Sequence, residues 1–73
     1  IGRADAVCWT DNSIYVFEFK VDSSAETALK QIEDKGYMIP FRFEEGKRLV
    51  KVGVNISTVS RTLEDWKIEE VNV

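Results

Sequence analysis

Asp5, Glu18 and Lys20 are the residues of this chain whose types and spacing could do chemistry. Glu18 and Lys20 flank Phe19 at the end of an apolar run, and residues two apart on a strand project from one face. A carboxylate beside a lysine, with a second carboxylate on the neighbouring strand, is the minimum equipment for Mg²⁺-assisted hydrolysis of a phosphodiester. Asp5 and Glu18 would hold the cation, helped by the backbone carbonyl of Phe19. Lys20 would orient the attacking water or stabilise the charge that builds on phosphorus. Gln31 could reach that water or a substrate phosphate from a following helix, and Arg3 and Lys30 could touch phosphates. The plainer reading is a solvated ion pair at a strand end. A bare Glu-x-Lys is common where about a quarter of residues are charged, so the elements around it must decide.

The first requirement is a hairpin that brings Asp5 to Glu18. Arg3 to Trp9 reads as one strand. Thr10-Asp11-Asn12-Ser13 is a turn cluster, and Ile14 to Val21 is a strand dense in β-branched and aromatic residues. Tyr15, Phe17 and Phe19 line one face and Ile14, Val16, Glu18 and Lys20 the other, which predicts a central strand covered on both sides. With a two-residue turn at Asp11-Asn12, or a four-residue loop from Thr10 to Ser13, Trp9 faces Ile14, Val7 faces Val16 and Asp5 faces Glu18. Opposed residues share a sheet face about 5 Å apart at Cβ. Two carboxylates so placed repel unless a cation sits between them. A three-residue loop would shift the register and separate them.

The second requirement is a helix over the site. Ser23 with Glu26 three residues on predicts a capping box. Ala25, Ala28, Leu29 and Ile32 follow at helical spacing, with Gln31 at the border of the apolar stripe. Gly36 is the stop, and Tyr37 the hydrophobic contact beyond it. Met38 to Glu45 is ambiguous, with Pro40 able to open a short helical turn through Phe43. From Arg48 to Ser57, Val50, Val52, Val54 and Ile56 alternate with Lys51, Gly53 and Asn55, predicting a half-buried strand. Thr58 to Asp65 reads as a polar connection and Trp66 to Val71 as a last strand at an edge, its charges opposing aggregation. Cys8 is expected to be a small buried hydrophobe, and Trp9 and Trp66 core or edge cover. The fold class is α+β: a mixed sheet in strand-strand-helix-strand-strand order, with a crossover that leaves Ile14–Val21 and Arg48–Ser57 parallel.

Composition narrows the chemistry. The chain has no histidine, which excludes Ser-His-Asp and Cys-His catalysis and His-ligated zinc. A single cysteine excludes an internal disulfide and fits a reducing cytoplasm. Apolar residues at 44% and charged residues at 32% describe a globular chain. No apolar run approaches the roughly 20 residues that cross a bilayer, and no signal peptide is recognisable, so no membrane is expected. The net charge of −3 opposes free-standing binding to nucleic acid, whose affinity comes largely from Lys and Arg. Ile1-Gly2-Arg3 lacks an initiator methionine and runs straight into a strand pattern, as expected of a piece of a longer protein.

The stretches Gly2-Arg3-Ala4-Asp5-Ala6-Val7, Tyr15-Val16-Phe17-Glu18-Phe19-Lys20 and Ala28-Leu29-Lys30-Gln31-Ile32-Glu33-Asp34-Lys35-Gly36-Tyr37 together resemble the PD-(D/E)XK nuclease superfamily. The chain is most similar to an uncharacterised bacterial branch in which such a domain follows an AAA-ATPase-like domain. Val52-Gly53-Val54-Asn55-Ile56-Ser57 and Asp65-Trp66-Lys67-Ile68-Glu69-Glu70 resemble that branch too. The resemblance implies a partial restriction-endonuclease-like core, with residues 1–73 forming one domain, the C-terminal portion of the family fold. It implies Asp5 and Glu18 as metal-binding acids, Lys20 as the catalytic lysine and Gln31 as a polar residue near the site. The implied cofactor is Mg²⁺ or Mn²⁺, and the implied partner DNA in the full-length parent. The family's first helix and first strand have no counterpart here, and Ala4 replaces a proline found before the first acid in some members. The fragment alone is therefore expected to be inactive, and an uncovered sheet edge or face gives it a route to a homodimer. Two other readings remain: a catalytically inactive module that binds or regulates beside the ATPase-like domain, and a plain α+β interaction domain if Asp5 and Glu18 point to different faces.

Overall fold

The computed structural model describes residues 4–71. Gly2 and Arg3, the opening of the first motif, lie outside the described residues. Four strands form one mixed sheet in chain order: β1 (Ala6–Trp9), β2 (Ser13–Val21), β3 (Arg48–Ser57) and β4 (Thr62–Val71). Helix α1 (Ala25–Asp34) and a 3₁₀ turn (Ile39–Phe41) lie between β2 and β3. Pairing is antiparallel for β1/β2, parallel for β2/β3 and antiparallel for β3/β4. The expected α+β class and crossover are present, with the 3₁₀ turn added to the expected order and Pro40 at its start.

The turn chemistry fixes the hairpin register. The Thr10 N–H donates to the Ser13 carbonyl at 2.9 Å, and Thr10 Oγ1 accepts from the Ser13 N–H at 3.0 Å. Lys47 Nζ donates to the carbonyls of Thr10 and Asp11 at 2.7 and 2.8 Å, holding the turn from outside. Trp9 then faces Ile14, and Val7 faces Val16. The ladder assigned to β1 begins at Ala6, later than the sequence pattern suggests.

Helix α1 begins one residue later than expected. Ser24, in extended backbone, is its N-cap, and its side chain accepts the Thr27 N–H at 3.0 Å. The Ser23–Glu26 box does not form because Asn55 Oδ1 takes the Ser23 N–H at 2.9 Å. Glu26 instead lies 3.7 Å from Lys67. The next free N–H, on Ala25, donates to Asp65 Oδ2 at 3.2 Å, so the sheet supplies part of the cap. At the other end Gly36 has φ +68°, a left-handed conformation that glycine adopts without penalty. Its N–H donates to the Glu33 carbonyl and that of Tyr37 to the Ile32 carbonyl, closing a Schellman motif.

Strand β3 departs most from the alternating pattern. It is buried on both faces, because α1 lies over Lys51, Gly53 and Asn55. Lys51 is 6% exposed and is paired with Glu69 at 2.8 Å and Glu33 at 3.3 Å. Burial pulls its pKa down, but the hydrogen bonds and charges of those two carboxylates outweigh burial and hold it above the ordinary lysine value. The buried Ile14, Val16, Ile32, Tyr37, Met38 and Leu49 form the core beneath the helix.

The opposite face of the sheet is not covered among the described residues, contrary to the expectation for β2. Phe17 and Phe19 stack there at 6.1 Å, and Phe19, Trp66 and Ile68 are exposed beside the buried Val50, Val52 and Val54. Trp9 is also half exposed and meets Phe41 edge-on. Cys8 is exposed rather than buried, since it sits on edge strand β1, which is exposed along its length. Strand β4 begins at Thr62, so part of the expected polar connection is ladder, with a register shift opposite Asn55/Ile56.

A Cβ on Gly53 would stand 2.4 Å from the Ala25 carbonyl oxygen and 2.9 Å from the Leu29 nitrogen. Both obstacles are helix backbone, which cannot rotate aside. Gly53→Ala is expected to destabilise the protein by about 1–3 kcal/mol in urea denaturation. A variant as stable as the parent would show that the helix does not rest on this position.

Candidate functional site

Asp5 sits one residue before β1 but remains tied to β2. Its N–H donates to the Phe17 carbonyl at 3.1 Å, and its Oδ2 accepts the Phe19 N–H at 2.8 Å. It lies at a bend just outside the β1/β2 ladder, whose last pair is Ala6 with Phe17, and its carboxyl is close enough to Glu18 to act on that side chain's pKa. Asp5 is exposed, whereas Glu18 is 3% exposed under α1. The Glu18 pKa is raised from 4.5 to about 7, chiefly by burial. The Asp5 carboxyl, hydrogen bonded to Glu18 and of like charge, adds to this rise, and the Lys20 charge opposes it.

Gln31 reaches down from α1 between the two strand residues. Its Nε2 donates to Glu18 Oε2 at 2.8 Å, and its Oε1 accepts a hydrogen bond from Lys20 Nζ. The same Nε2 lies 3.3 Å from the Tyr37 hydroxyl. Glu18, Lys20 and Gln31 are thus brought together on the helix-covered face, with the exposed Asp5 carboxyl beside Glu18 at the β1 edge. Lys30 is not part of this group: it is on the solvent side of α1, 3.4 Å from Asp34 in an i,i+4 pair. Arg3 lies outside the described residues. Tyr37, read from sequence as a helix-cap contact only, does close the cap and also joins the site. The Gly36-Tyr37 pair after Gln31 was the available signal, because a left-handed glycine turns the next side chain back along the helix.

The donor set suits a hard cation. Two carboxylates lie side by side, and burial first and the neighbouring Asp5 second raise the pKa of Glu18. Among the described residues no group of three or more His, Cys, Asp or Glu side chains could hold a metal. Remaining ligands would be backbone oxygen or water, as Mg²⁺ commonly takes. The Phe19 carbonyl fits this need: strand geometry directs it to the same side as the Phe19 N–H, which meets Asp5.

Comparison with known proteins agrees with the geometry. A family model described as the PD-(D/E)XK nuclease superfamily matches residues 1–66. An uncharacterized protein in the vnfD 5' region of Azotobacter chroococcum mcd 1 is 35% identical over 72 residues, which cover 96% of this chain. The match spans 14% of that relative's own length. No solved structure matches the chain significantly.

The Glu18 environment has a measurable consequence without metal. The folded protein binds this proton more tightly than the unfolded chain, so the contribution is fully present below pH 4.5 and is lost as pH rises through about 7. Stability in EDTA should therefore fall over that interval by roughly 3 kcal/mol. Glu18→Gln should flatten the slope in urea titrations at a series of pH values. An unchanged slope would mean that Glu18 is not held in this environment.

Proposed function

The chain belongs to the PD-(D/E)XK nuclease superfamily, and from that premise we propose that it carries the metal-dependent site of a nuclease that hydrolyses DNA phosphodiester bonds in the full-length protein. The observation that carries the reading is that Gln31 is bonded to both Glu18 and Lys20, which share one face, with the Asp5 carboxyl beside Glu18. Members of this superfamily generally depend on a divalent metal. Asp5, Glu18 and the Phe19 carbonyl are the residues that would hold Mg²⁺ or Mn²⁺. When bound, the cation supplies Lewis-acid activation of water and neutralises charge developing at phosphorus.

The remaining roles fall to the chain itself. Lys20 places an ammonium two residues from Glu18, where it orients the attacking water and stabilises negative charge on the phosphoryl oxygens. Gln31 uses its carbonyl oxygen to hold Lys20 and its amide to hold Glu18, so both stay aimed at one point. Residues 1–73 serve in this reading as the C-terminal portion of a restriction-endonuclease-like core beside an AAA-ATPase-like domain.

The alternative is an inactive nuclease-fold module used for binding or regulation. The net charge of −3 and the exposed apolar sheet face favour it. Retention of a buried carboxyl next to a second one favours the active reading, since a decayed site gains stability by losing it.

Plasmid cleavage by the full-length protein with Mg²⁺ or Mn²⁺ separates the two. Asp5→Ala, Glu18→Gln and Lys20→Ala should each lower the rate by about 10²-fold or more, while Lys30→Ala leaves it unchanged. Cleavage unaffected by the first three substitutions would remove the proposed site. Intact plasmid with the wild-type protein, together with measured Mn²⁺ binding, would point to the inactive module.

A further inference from the structure

Tyr37 is tied to the site by one hydrogen bond and to the fold by everything else. Its ring is 8% exposed within the core cluster of Ile14, Val16, Ile32, Met38 and Leu49. Its backbone N–H closes the helix on the Ile32 carbonyl at 3.0 Å. With both ring and backbone fixed, the hydroxyl is a rigid point next to the flexible Gln31 side chain.

A glutamine amide has two N–H donors and one carbonyl oxygen. Here Nε2 is within bonding distance of two acceptors, Glu18 Oε2 and Tyr37 Oη, and Oε1 faces the donor Lys20 Nζ. The amide is therefore fully used in one orientation. Without Tyr37, one N–H loses its partner and the side chain regains rotamer freedom, at a partly buried position. Glu18 and Lys20, two apart on one face, would then be free to pair directly. Such a pair would occupy the carboxylate and the ammonium that the site needs separately.

We infer that Tyr37 is a positioning residue: its hydroxyl locks the Gln31 carboxamide as a neutral spacer between Glu18 and Lys20, keeping the carboxylate available to a divalent cation and the ammonium available to a phosphate. This inference rests on the metal-site reading above and assigns no contact between Tyr37 and substrate.

Tyr37→Phe tests it, because it removes the hydroxyl and keeps the ring in the core. The first measurement is on the metal-free protein. In ¹H–¹⁵N NMR the Gln31 side-chain amide should move toward the positions of exposed glutamine amides and exchange faster. The second is Mn²⁺ titration by calorimetry, where affinity should fall about 3- to 10-fold, the loss of one ordinary hydrogen bond. The third is a double-mutant cycle in which Tyr37→Phe added to Gln31→Ala should weaken Mn²⁺ binding no further. A merely structural role for Tyr37 would give additive losses. An unmoved Gln31 amide, or additive losses in the cycle, overturns the inference while the metal site stands. Wild-type protein that binds no Mn²⁺ overturns the metal-site reading and this inference's functional half with it; an amide that still moves upon Tyr37→Phe then supports the hydroxyl–carboxamide lock alone.

Discussion

Everything at the site depends on how closely helix α1 rests on strand β3. Gly53 lacks a side chain, and the helix backbone occupies the space that a Cβ would need. Gly53 is also the register partner of Glu18 on the adjacent strand. The helix is therefore seated on the strand next to the one that carries the carboxylate it covers. That seat sets the height at which Gln31 arrives. Two further contacts set its rotation: Asn55 takes the backbone N–H of Ser23 before the helix, and Asp65 takes that of Ala25 in its first turn. Lys51, held by Glu33 from the helix and Glu69 from β4, ties the far flank to the sheet.

This seating creates the electrostatic problem that defines the site. Covering Glu18 removes water from a carboxylate that already faces Asp5, and either effect alone raises its pKa. A well-placed ammonium would relieve both, and Lys20 stands two residues away to provide it. The fold instead inserts an uncharged amide. Glu18 receives one hydrogen bond from Gln31, enough to satisfy an oxygen but not to cancel its charge. The pair of acids remains short of positive charge while the lysine keeps donors free. A site optimised for stability alone would have joined them. The strain is tolerable because the rest of the helix interface is well satisfied, with no buried side-chain nitrogen or oxygen lacking a partner among the described residues.

Much of this was legible in the residues. The Thr10–Ser13 turn could support only a few pairings, and the two-residue solution carries Val7 to Val16 and Ala6 to Phe17, one step short of Asp5 and Glu18. Alternation in β2 put Glu18 and Lys20 on one face, and helical spacing put Gln31 above them. What failed did so where two local solutions were nearly equal or where burial came from a distant element. Ser23 and Ser24 are both competent caps, and the choice fell to Asn55 and Asp65, more than 30 residues away. Lys51 on an alternating strand looks solvent-facing until a helix and two glutamates enclose it. Tyr37 illustrates the same limit, since its ring was predictable as a cap contact but its hydroxyl partner is decided by the helix phase.

The two sheet faces pose the remaining question of how an acidic chain would hold a polyanion. On the helix-covered face, Lys20 is a single ammonium with one donor on the Gln31 amide oxygen, and Lys51 is already taken by two carboxylates. The opposite face offers Phe19, Trp66 and Ile68, which favour apolar contact over phosphate. Phosphate affinity at the site itself must then come chiefly from the cation that Asp5 and Glu18 would bind, which converts two negative charges into a phosphate-accepting centre. Affinity along a strand needs further lysines and arginines.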